Sequence, residues 1–178
     1  QVTPDSALSA LVARAVRTTD SLANRVITDI ALPLPRTGNQ YPLGNLMADA
    51  FRNVLRTDVA LVNNGGVRAD VAAGRLTYGQ LFTVMPFQNQ AVTVTLTGKQ
   101  LREVAEASIT AGGPDAHVSG MRITYDLSRP AGQRVRDLRL ANGKKPKDNG
   151  RYTLAVNSFL AAGQSGYTML RTAPQAPD

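Results

Sequence analysis

Three short stretches of this chain carry the residue types that hold a phosphorylated compound with a flat base. The first is Asn63-Asn64-Gly65-Gly66-Val67-Arg68. Arg68 is a permanent planar cation that can grip phosphate or carboxylate through two parallel hydrogen bonds. Asn63 adds a neutral donor and acceptor. Gly65 and Gly66 predict a backbone free to take positive φ and to bring its N–H groups near a ligand. The second stretch is Pro86-Phe87; the third is Asn157-Ser158-Phe159, continued by Gly163-Gln164-Ser165-Gly166-Tyr167. Aromatic faces stack on nucleobases for roughly 1–3 kcal/mol per base. Together the three stretches suggest one pocket. Each also has a plainer reading: a strand-ending turn with a solvent-facing arginine, a core phenylalanine, an ordinary glycine turn.

Hydrolysis is harder to assemble from these residues. His117 is the single histidine, and one imidazole cannot build a two-metal hydrolytic site. It is expected just before a strand, as a surface or structural residue. Ser119, Ser158 and Ser165 lack a Gly-x-Ser-x-Gly setting, and the few carboxylates are dispersed. Neither a phosphate-binding loop with Gly-Lys-Ser/Thr nor a Gly-x-Gly-x-x-Gly fingerprint is present. No catalytic residue and no metal ligand is assigned.

Positioning these stretches requires a mixed set of elements. Leu8, Leu11, Val12, Ala15 and Val16 predict an amphipathic helix over 5–17, capped by Asp5 or Ser6. Strands are expected at 26–32, 59–62, 91–96, 121–125, 135–140 and 152–156, with Leu76 to Val84 starting extended and turning helical. Pro33 and Pro35 break regular structure. A helix over 43–55 is expected to face inward with Leu46, Met47, Ala50, Phe51 and Val54, and another runs over about 97–109 from a Thr97 cap. Asn142-Gly143 is a hairpin-type turn, and the tail after Thr172 reads as frayed. The expected class is α+β.

At 178 residues the chain suits one domain with a real core. Its formal net charge of +7 favours anionic partners, yet the arginines are scattered rather than run together, so nucleic acid is not the expected partner. The absence of cysteine excludes disulfides, thiol nucleophiles and cysteine-based zinc sites while leaving the compartment open. No apolar run approaches the roughly 20 residues of a membrane helix. A start at Gln1 is expected of a processed protein or an excised fragment.

Taken in order, the pieces resemble the C-terminal domain of the 5'-nucleotidase family. They are Leu43-Gly44-Asn45-Leu46-Met47-Ala48-Asp49-Ala50, Asn63-Asn64-Gly65-Gly66-Val67-Arg68-Ala69-Asp70, Gly74-Arg75-Leu76-Thr77-Tyr78-Gly79, Met85-Pro86-Phe87-Gln88-Asn89, Leu96-Thr97-Gly98-Lys99-Gln100-Leu101, and Asn157-Ser158-Phe159-Leu160-Ala161-Ala162-Gly163 with Gly166-Tyr167. The resemblance implies a mixed α/β substrate-binding domain over 26–172, preceded by a linker helix over 1–25 and followed by a frayed tail over 173–178. It implies that Asn63 and Arg68 contact substrate, that Phe87 and Phe159 sandwich the base, and that Arg36 supplies a further cation. Ser165 stands where the family has an aspartate that bonds both ribose hydroxyls, so weakened or altered ribose recognition is expected. Two divalent metals are implied in an N-terminal metallophosphoesterase domain of the same protein, not in this chain. The implied partners are that domain and a nucleotide or other phosphorylated small molecule. The implied setting is periplasmic, cell-surface or secreted. Against this stands a different class of function, a structural or interaction module that has lost nucleotide binding.

Overall fold

The computed structural model describes residues 5–176, the side chain of Thr18 excepted. In chain order the helices are α1 (Ser6–Ala23), α2 (Pro42–Leu55), α3 (Tyr78–Val84), α4 (Gly98–Ala107) and α5 (Ser158–Ala161). The strands are β1 (Val26–Ile30), β2 (Val59–Asn63), β3 (Gly74–Thr77), β4 (Ala91–Thr97), β5 (Ile109–Thr110), β6 (Gly113–Pro114), β7 (Ala116–Ser119), β8 (Met121–Tyr125), β9 (Val135–Leu140) and β10 (Arg151–Asn157). This is an α+β fold. Among the described residues no helix is long and apolar enough to cross a membrane.

The chain gathers into two compact units. One comprises residues 1–35 and 68–86, of which residues 1–4 lie outside the described part. It holds α1, β1, β3 and α3. Asp5 caps α1 by accepting from the Leu8 N–H at 2.9 Å. β1 and β3 pair antiparallel, and Leu34 bridges Val71. Thr77 and Gln80 form a reciprocal capping box that starts α3, and Arg25 lies 5.5 Å from the Tyr78 ring centroid.

The second unit comprises residues 36–67 and 87–178 and is built on a four-stranded sheet ordered β4-β10-β2-β7. β10 and β2 run parallel, while β4 and β7 join antiparallel at the outside. All five residues of β2 are buried, as an apolar strand covered on both faces must be. Val59, Leu61, Val94, Leu96, Leu154 and Val156 form a core with Leu101 and Val104 of α4 and Leu138 of β9. A Thr97–Gln100 capping box starts α4 directly from the end of β4.

Three expectations are corrected here. The tail is paired: Thr95 donates to the Pro174 carbonyl, Ala176 to the Thr93 carbonyl, and Gln175 bridges Val94. It thereby covers the open edge of β4, whose backbone groups would otherwise lack partners. Residues 177–178 of the expected frayed tail lie outside the described part. The inward face of α2 is also different. Leu43, Gly44 and Ala48 are buried, whereas Leu46 is 54% and Val54 76% exposed.

The reason is the third correction, His117. It lies within β7 rather than before a strand, and it is 0% exposed. Its ring meets Tyr41 edge-on at 4.2 Å between centroids. A Cβ on Gly44 would lie 2.1 Å from the imidazole Cδ2, so only glycine lets α2 settle against that ring. Gly44 is where α2 packs against that ring.

Candidate functional site

Because β2 and β10 are parallel, their carboxyl ends, Asn63 and Asn157, arrive at the same edge of the sheet. β4 is antiparallel to β10 with Asn157 opposite Ala91, which brings residues 87–90 to that edge as well. Ser158 locks the two approaches together: its N–H donates to the Gln90 carbonyl at 2.8 Å, and its Oγ accepts from the Gln90 N–H at 3.2 Å. Phe87 is thus placed by the lead into β4 and Phe159 by the first turn of α5. Ligands in open α/β sheets sit outside the carboxyl ends of parallel strands for the same topological reason.

Between these elements lies a cavity of about 250 Å³ lined by Asn63, Gly65, Gly66, Phe87, Asn89, Asn157, Phe159 and Ser165. It is just below the span typical of small-molecule pockets, about 300–1,000 Å³. Hollows of about 650 Å³ elsewhere are lined by mixed charged and apolar surface and bring no pair of aromatic rings together. Phe87 is 46% and Phe159 41% exposed. The plain reading of both as core residues therefore fails: each is exposed and lines the cavity.

The floor is made of amides. Asn157 Nδ2 donates to Asn63 Oδ1 at 3.1 Å, and Asn157 Oδ1 accepts from the Leu160 N–H at 2.9 Å, which caps α5. Both asparagines are buried and anchored, so their orientation is set before any ligand arrives. Asn157 and Asn89 line the cavity although sequence reasoning did not single them out. Asn157 could have been found as a cap residue between a strand and a short helix, but α5 itself was not foreseen.

The two glycine stretches work differently. Neither Gly65 nor Gly66 takes positive φ, contrary to expectation; Gly66 provides room. A Cβ on Gly66 would lie 3.1 Å from Asn63 Oδ1, so the 3-10 turn over Asn64–Gly66 folds back on the Asn63 amide. Asn64 is structural, its N–H donating to the Asp115 carbonyl and its Nδ2 to the Asn39 carbonyl. In the other stretch Gly163, Ser165 and Gly166 all take positive φ, at 81°, 53° and 84°. Ser165 is the only one of these with a Cβ, and it reaches the cavity from a left-handed backbone. Tyr167 anchors the stretch: it is buried, and burial pushes its hydroxyl pKa up, with Asp115 adding to the shift.

Arg36 and Arg68 are not among the lining residues of the cavity. Both are exposed. Arg68 opens the 68–86 segment of the other unit, where its N–H donates to the Val84 carbonyl at 2.8 Å. The lining set therefore holds aromatic faces, amides and one hydroxyl, with no charged group. Such a set suits an uncharged, flat, hydrogen-bonding moiety.

Among the described residues no three His, Cys, Asp or Glu side chains cluster to hold a metal. The His117 imidazole is buried, with Nδ1 bonded to Asn45 Oδ1 at 2.9 Å.

Comparison with known proteins places most of the chain within one family. A family model described as the 5'-nucleotidase C-terminal domain matches residues 26–172. The chain is 33% identical over 165 residues to a Bacillus subtilis protein named endonuclease YhcR, across 90% of this chain and 13% of that protein. It is 32% identical over 175 residues to an apyrase of Tabanus yao, across 83% of this chain and 32% of the relative. A 5'-nucleotidase precursor from Thermus thermophilus has the same fold, with a TM-score of 0.82 at 29% identity over 98% of this chain and 38% of that one. The chain spans well under half the length of each of these proteins. On the family match over residues 26–172, this chain belongs to the 5'-nucleotidase family as its C-terminal domain.

Proposed function

We propose that the chain is the substrate-recognition domain of a metal-dependent nucleotide phosphohydrolase. In this reading the base lies between Phe87 and Phe159, with Asn63, Asn89 and Asn157 offering amide contacts at its edge. Arg68 and Arg36 serve phosphate or a neighbouring charge. A metallophosphoesterase domain of the same protein would hold two divalent metals and supply the hydrolytic chemistry, and α1 would be the connection to that domain. A periplasmic, cell-surface or secreted setting goes with relatives named apyrase and 5'-nucleotidase precursor.

The single observation supporting this most strongly is the pair of half-open phenylalanine rings lining one cavity from two distant parts of the chain. Apolar rings left open to water cost hydrophobic stabilisation, which a stacking ligand restores. The test is calorimetric titration with adenosine monophosphate. Phe87→Ala and Phe159→Ala are each expected to weaken binding by about tenfold, within the roughly 1–3 kcal/mol of a base stack. Unchanged affinity in both variants would defeat the proposal.

One observation favours a second reading, an interaction module without nucleotide duty: the lining set includes no carboxylate to accept from a ribose diol, and Ser165 offers a short neutral hydroxyl. Ser165→Asp decides between the two. Under the first reading it creates a preference for ribonucleotide over 2'-deoxyribonucleotide; under the second it changes nothing.

A further inference from the structure

A second cluster of cations sits away from the aromatic cavity. Arg52 of α2, Arg122 of β8 and Arg139 of β9 line one hollow of about 330 Å³, together with Ser119 and Gly120. Three features set this cluster apart from the scattered surface arginines.

Arg122 stands directly opposite Arg139 in the antiparallel β8–β9 pair. Like charges at facing positions destabilise a ladder, so the arrangement costs folding energy unless something anionic sits beside it. Asp137 relieves this only in part, because it is shared between Arg139 at 2.6 Å and Lys145 at 2.8 Å. Arg52, in turn, is held before any ligand arrives. Its Nε donates to the Asp58 carbonyl at 3.0 Å, and Gly120, at φ 75°, gives way to it: a Cβ there would lie 2.6 Å from Arg52 Nε. Fixing a long side chain costs rotamer entropy, and a pre-set guanidinium returns that cost on binding an oxyanion. Finally, Asp49 is the one carboxylate in the lining, and it accepts from Ser119 Oγ at 2.6 Å. That bond engages part of its negative charge within the set.

We propose that this hollow is an anion site for a small multivalent oxyanion of the phosphate class, gripped by Arg52 and Arg122 with Arg139 alongside. It does not depend on the aromatic cavity, which shares none of its lining residues.

The test is a titration of the isotope-labelled chain with sodium pyrophosphate at fixed ionic strength, following the amide resonances of Gly120 and Arg122. Saturable shifts are expected there. Arg122→Gln and Arg52→Gln should each raise the dissociation constant about tenfold, as loss of a charge-assisted hydrogen bond does. Arg102→Gln serves as the control, since its exposed side chain pairs with Asp148 elsewhere; it should change little. Phe87→Ala should leave this titration unaltered. Shifts that do not saturate, or equal weakening by the Arg102 variant, would show mere attraction to a positive surface and overturn the site. A single-stranded oligonucleotide that binds through Arg122 while pyrophosphate does not would overturn the assignment to a small anion.

Discussion

Two polar clusters border the same four-stranded sheet, and they have opposite characters. At the carboxyl ends of β2 and β10, Asn63 and Asn157 bond each other and open onto a cavity. At β7, His117 is sealed between Tyr41 and Gly44, and its Nε2 has no hydrogen-bond partner among the described residues. With Asn45 Oδ1 as acceptor, Nδ1 donates and Nε2 is left as a lone pair. Protonating Nε2 would bury a charge with nothing to receive its hydrogen, and burial lowers the His117 pKa to about 4. One cluster is satisfied and open, as binding requires; the other is closed and serves the fold. Gly44 and Asn45 of α2 thus seat the histidine.

The largest effect is expected from Gly44→Ala. With its Cβ about 2 Å from the ring, either α2 or the histidine must move, at a cost of about 3 kcal/mol or more. Chemical denaturation should show the loss directly. Gly44→Ala combined with His117→Ala should recover much of it, and a failure to recover would break the assignment of the clash to that ring.

Acidification should act on the same seat. The folded-state pKa of His117 is lowered below its unfolded value of 6.5, so the unfolded chain takes up the proton first. The contribution of neutral burial is fully present above pH 6.5 and is lost as the pH falls toward 4, amounting to about 3 kcal/mol across that window. His117→Asn should flatten this part of the stability–pH curve. An unchanged slope in that variant would place the titrating group elsewhere.

The open cluster should respond in the reverse sense. Phe159→Ala is expected to cost less than about 1 kcal/mol of stability, because so much of the ring is already in water, yet to weaken nucleotide binding about tenfold. Comparing its melting temperature with its affinity sharpens the contrast: a large drop in stability would mean the ring is core after all.

Smallest is Ser165→Gly. Its φ of 53° lies where a Cβ is unfavourable, so glycine should stabilise the chain by up to about 1 kcal/mol. Destabilisation instead would show that the serine side chain holds the 163–166 stretch.

How much of this was legible in the sequence depended on how local the cause was. The Thr97 cap and the turn at Asn142-Gly143 were legible, because their partners lie within a few residues and Gly143 does take positive φ; the hairpin expected across that turn does not form, since β9 pairs with β8 and β10 with β4 and β2. β7 was missed because four residues including a histidine give no clear alternation, and its strand character comes from pairing with β2. α5 was missed because a single turn depends on the Asn157 cap and on Ser158 bonding to Gln90. The buried face of α2 was misread for the same reason: periodicity finds the most apolar stripe, but the stripe that packs is the one His117 fits.

By itself, the sequence determined the α+β class, the family resemblance, the two phenylalanines and the glycine stretches, since residue type and order suffice for these. Only the tertiary structure decided that Phe87 and Phe159 meet at one cavity, that Asn157 and Asn89 join them, and that neither Gly65 nor Gly66 makes a left-handed turn. The physical reason is that parallel pairing of β2 with β10 and antiparallel pairing of β10 with β4 bring chain segments about seventy or more residues apart to one sheet edge. No local pattern encodes that meeting; the shared burial of the sheet does.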